Sequence, residues 1–78
     1  MKSTSEILKK RRESMGMSQV YLAEKLGFGS CQFISNIERG VSMLPRKHIN
    51  KACKLLRLNK DKFTKVWVRE KGQRALFG

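Results

Sequence analysis

Gln32, Ser35, Asn36 and Arg39 recur at i, i+3, i+4 and i+7, which lines up two amides, a hydroxyl and a guanidinium along one side of a helix. Phe33, Ile34 and Ile37 fall on another side. Surface helices ordinarily carry Glu and Lys in such positions, because those side chains favour helix and hydrate cheaply. An outward stripe of amides suits hydrogen-bond recognition of a partner instead. Nothing in the chain suggests turnover of a substrate. The single histidine, His48, stands among basic residues, there are no paired acids for general acid–base work, and no glycine-rich phosphate loop is present. Cys31 and Cys53 lack CxxC spacing and a histidine cluster, so neither a metal site nor a cofactor is expected.

Charge indicates the partner. Eighteen Lys and Arg against six Asp and Glu give a net charge of +12, well beyond what solubility needs and suited to a polyanion. Residues 41–78 hold eleven basic and two acidic side chains and so carry +9 of that excess. An acidic membrane surface is disfavoured, since the apolar helix faces are committed to a core. No apolar run approaches the length of a membrane span, and the first residues, "MKSTSE", lack an apolar signal core. A cytoplasmic protein with reduced cysteines is expected.

The elements that position the stripe read as five short helices in a single domain, an all-α fold. Ser3 with Glu6 forms a capping box for a helix over about 4–15, closed by Gly16. Ser18 caps a second helix that buries Leu22, Ala23 and Leu26 and stops at Gly27. After the turn "FGS", Ser30 is expected to cap a third helix over 31–39, stopped by Gly40, with Ile34 and Ile37 inward. Pro45 suits the first turn of a fourth helix, in which Ile49, Ala52, Cys53 and Leu56 repeat at helical spacing. Asn59 caps a fifth, over about 59–74, carrying Phe63, Val66, Trp67 and Glu70. A domain this small buries only roughly 60% of its unfolded surface, so self-association would help it.

"MSQVYLAEKLG" followed by "FISNIERG" resembles the helix-turn-helix of the Cro and phage-repressor family. Ala23 stands where the two motif helices approach closely, Gly27 at the turn, and Ile34 at the buried position of the second helix. The resemblance covers roughly residues 5–58 and implies a compact, lambda-repressor-like domain. The turn "FGS" is one residue longer than is usual in the family, so the alignment is taken backward from "ISNIERG", which puts Cys31 at the start of the reading helix.

That resemblance implies a bacterial or phage-encoded transcriptional regulator whose second motif helix enters the major groove of double-stranded DNA. Gln32 and Asn36 then suit bidentate contacts to adenine, Ser35 any base or a phosphate, and Cys31 a close approach or a thymine methyl. Gln19 corresponds to a phosphate clamp of the family. Ser30, Arg39, Arg46 and Lys47 are the flanking phosphate candidates. Arg12 is expected to pair structurally with Glu38, with phosphate as its secondary role.

The family usually acts as a homodimer on near-palindromic operators. Phe63, Val66 and Trp67 are candidates for that interface or, equally, for closing the monomer's own core. Leu76 and Phe77 can serve either end. The basic fifth helix, including Lys62 and Lys65, is a candidate for lying over DNA beside the half-sites. Two other readings share the fold. One is an antitoxin that also binds a protein toxin, and the other is a sequence-independent nucleic-acid module.

Overall fold

A computed structural model describes residues 3–77, with Phe77 described by its backbone alone. The described residues form five α-helices: α1 (Thr4–Ser14), α2 (Gln19–Leu26), α3 (Gln32–Glu38), α4 (Ile49–Leu56) and α5 (Lys60–Phe77). A 3-10 turn, Arg46–His48, leads directly into α4. The described residues include no strand and no helix long and apolar enough to cross a membrane.

Local sequence sets the helix ends. The Ser3 hydroxyl accepts from the Glu6 N–H at 3.2 Å and the Ser18 hydroxyl from the Tyr21 N–H at 3.0 Å, each satisfying an amide that the helix itself leaves free. At the C-terminal ends, α1 to α4 close in one way. A left-handed residue follows the helix, and the next N–H donates back to a carbonyl five residues earlier. These bonds run from Met17 to Arg12, Phe28 to Ala23, Val41 to Asn36 and Leu58 to Cys53, at 2.9 to 3.1 Å. The left-handed residue of α4 is Arg57, at φ 55°. At the motif turn it is Gly27, at φ 83°, where any other residue would place its Cβ against its own carbonyl.

Two expected starts are displaced by one step. Pro45, at ψ 141°, precedes the 3-10 turn instead of lying in it, and its carbonyl accepts from the His48 N–H at 2.9 Å. Ser30 does not cap α3. Cys31 is already in a helical conformation, and its carbonyl takes the first helical bond, from the Ser35 N–H at 3.0 Å. The cap position therefore falls on Cys31, whose side chain makes no capping bond.

Leu8, Leu22, Ala23, Leu26, Ile34, Ile37, Leu44, Ile49, Ala52, Cys53, Leu56, Phe63 and Trp67 form the core. Burial pushes the Cys53 thiol above its ordinary pKa, with Lys60 opposing, so it packs as a small apolar group. Phe63 and Trp67 are 2% and 3% exposed. They close the monomer's core and are withdrawn as interface candidates. The Trp67 indole is fixed there by donating to the Leu44 carbonyl at 2.7 Å, which satisfies its buried N–H. Polar ties join distant segments: the Arg11 guanidinium donates to the Leu56 carbonyl at 2.7 Å, and the Glu70 carboxylate accepts from the Thr4 N–H at 2.7 Å.

Candidate nucleic-acid interface

α3 is only seven residues long and cannot hold itself in shape, since helix nucleation is costly and short helices depend on packing. Its inner side is held by Ile34 and Ile37 in the core and by Glu38, whose side chain is 3% exposed. Glu38 receives the Arg12 guanidinium in a forked contact, Nε to Oε2 at 2.6 Å and Nη2 to Oε1 at 3.1 Å. The Gln19 amide donates to Oε1 at 3.0 Å, and the third Arg12 nitrogen, Nη1, donates to the Met17 carbonyl at 2.7 Å. One carboxylate thus ties α1, α2 and α3 together. The hydrogen bond to Glu38 raises the Arg12 pKa, against the lowering effect of burial, so the guanidinium stays charged.

All three Arg12 nitrogens donate within the fold and the residue is buried, which fits the structural pairing with Glu38. Gln19, half-buried at the first position of α2, is turned toward Glu38 by one amide N–H.

On the outer side, Gln32, Ser35, Asn36 and Arg39 share one face, as their spacing requires. Asn36 Oδ1 accepts from Gln32 Nε2 at 2.9 Å and from Arg39 Nη2 at 2.6 Å. The stripe is therefore linked before any partner arrives. Cys31 is half-buried at its start, and Ser30 is exposed beside it.

Phe33, which spacing groups with Ile34 and Ile37 away from the stripe, is 52% exposed while those two are buried. At about 100° per residue it stands only about 60° around the helix from Asn36, at the edge of the reading face. Its ring stacks on Phe28 of the turn, with centroids 5.3 Å apart and planes 19° apart, and Phe28 in turn meets His48 at 4.7 Å. Sequence pattern missed this row because helical spacing alone does not separate the edge of a buried seam from the edge of an exposed one.

Arg46 and Lys47 are exposed on the 3-10 turn that also carries His48. Desolvation, and then Lys47 and Lys51, lower the His48 pKa, so the imidazole stays neutral near pH 7. Arg74, far along α5, donates to the carbonyls of Gly40 at 2.6 Å and Val41 at 3.4 Å, joining α5 to the segment just after α3. Lys62 sits elsewhere, lining a hollow with Ile7, Leu58 and Val66 where α5 passes α1.

No curated protein matches the chain significantly. The helix-turn-helix family model matches residues 8–63, from within α1 to the first turn of α5, and the chain therefore belongs to the Cro/C1-type helix-turn-helix family of DNA-binding transcription regulators.

Proposed function

We propose that this chain is a sequence-specific regulator that places α3 in the major groove and binds an inverted-repeat operator as a homodimer. The linked Gln32–Asn36–Arg39 face carries this reading. With Asn36 Oδ1 occupied twice, Asn36 has only its amino group to offer and reads an acceptor on a base edge. Gln32 keeps its Oε1 and a second amino hydrogen, enough for a bidentate contact to adenine N6 and N7. Ser35 and Cys31 contact bases on either side.

Gln19, through its second amide N–H, contacts phosphate together with Arg39, Arg46 and Lys47. These contacts fix register and supply affinity without reading sequence. With Phe63 and Trp67 internal, the pairing surface is assigned to Val41, and to Val68 with Leu76 on α5, which are among the exposed apolar side chains. Val66, half-buried beside Ile7, is at the edge of the core.

Selection from a random duplex library at about 150 mM salt, where contacts to phosphate alone are weak, tests this reading. The expected product is an inverted repeat, and Gln32→Ala should lose preference at one position of each half-site. Recovery of no preferred sequence would overturn sequence-specific regulation in favour of sequence-independent binding.

A further inference from the structure

An aromatic ring half-exposed to water on a recognition helix has an unfavourable hydration cost unless a partner covers it. Phe33 is such a ring, and it is not free to fold away. Phe28 lies flat against it, and Phe28 is itself packed against the core and against His48. The turn Phe28–Gly29–Ser30 brings this support under the ring. Phe33 also does not stand alone. With Ser30, Gln32 and Asn36 it lines one shallow hollow, whose other walls are a hydroxyl and the two amides of the reading face.

The major groove offers one apolar feature on a base edge, the C5 methyl of thymine. It lies beside the thymine O4 acceptor, on the same groove edge as the N6 and N7 atoms of the paired adenine. An apolar wall framed by a hydroxyl donor and amides matches that arrangement.

We infer that this hollow is a thymine-specific site: Phe33 receives the 5-methyl group, and the Ser30 hydroxyl is placed for O4. Phe33 is then a specificity-determining residue, and Phe28 a positioning residue that holds its ring. The inference rests on the proposed groove reading by α3 and adds to it a contact that hydrogen-bonding pattern alone does not supply.

The test uses the full chain and the operator recovered by selection, with each thymine replaced in turn by deoxyuridine, which removes only the methyl group. For the native protein, one position per half-site should weaken binding about fourfold, the value of one buried methyl-sized group. Phe33→Ala should bind the unmodified operator more weakly and be indifferent to deoxyuridine at that same position. Phe33→Leu, which keeps an apolar surface, should retain part of the discrimination and guards against a folding defect in the alanine variant. The inference is overturned if every deoxyuridine operator binds like the parent, or if Phe33→Ala still discriminates. Failure to recover any operator would instead overturn the reading on which it rests.

Discussion

Glu38 accepts three N–H bonds with almost none of its side chain in water, so its charge depends on Arg12. Arg12→Ala should cost about 3–5 kcal/mol, as expected when one partner of a buried pair is removed. That is a large fraction of the roughly 4–12 kcal/mol available to a domain of this length. Urea unfolding should show it, and the double replacement Arg12→Met with Glu38→Leu should recover much of the loss, because no unpaired charge remains. His48 gives a pH signature. Its folded pKa lies below the unfolded value near 6.5, so its contribution is complete above pH 6.5 and is lost as pH falls toward the folded pKa. The urea midpoint should therefore decline as pH falls below about 6.5, and His48→Gln should flatten that decline. The Arg12–Glu38 pairing was legible through family resemblance. The Phe28–Phe33–His48 row was not, because it joins three segments whose approach depends on the fold.

At the scale of elements, the seam residues Leu22, Ala23, Leu26, Ile34, Ile37, Ile49, Ala52, Cys53 and Leu56 are all buried, as their spacing foretold. Periodicity works here because each helix has one side on a shared core. Helix stops were legible where glycine marks them and missed at Arg57, which adopts the same left-handed conformation without glycine's freedom. Arg57→Gly should therefore raise stability by about 1 kcal/mol, seen as a higher urea midpoint with unchanged slope. The Arg11 bonds would survive, since they end on the backbone carbonyls of residues 56 and 57. The 3-10 turn before α4 and the reach of α5 beyond residue 74 left no comparable mark in the sequence. The first depends on a local choice of hydrogen bond, and the second runs on through Ala75, Leu76 and Phe77 past Gly72, a glycine that does not end the helix.

At the scale of the whole molecule, the +12 charge is not evenly useful. Arg46 and Lys47 belong to the turn beside the reading helix, whereas Lys62 lies along the α1–α5 contact. Replacing Arg46 or Lys47 by Gln should reduce the slope of log affinity against log salt by about 1 each, and Lys62→Gln should leave it unchanged. An equal fall in slope for Lys62→Gln and Lys65→Gln would instead put the basic α5 over DNA, since charge counting assigns no side of the molecule. The attachment of α3 through Ile34, Ile37 and Glu38 has a further consequence for evolvability. Ile34, Ile37 and Glu38, which hold the helix in place, are distinct from Gln32, Ser35 and Asn36 on the outer side, whereas Cys31 also packs against the core. A library randomised at Gln32, Ser35 and Asn36 should keep most members folded, by circular dichroism, while yielding binders to unrelated operators. On the proposed reading, the domain can change its target sequence in few steps without first acquiring compensating mutations.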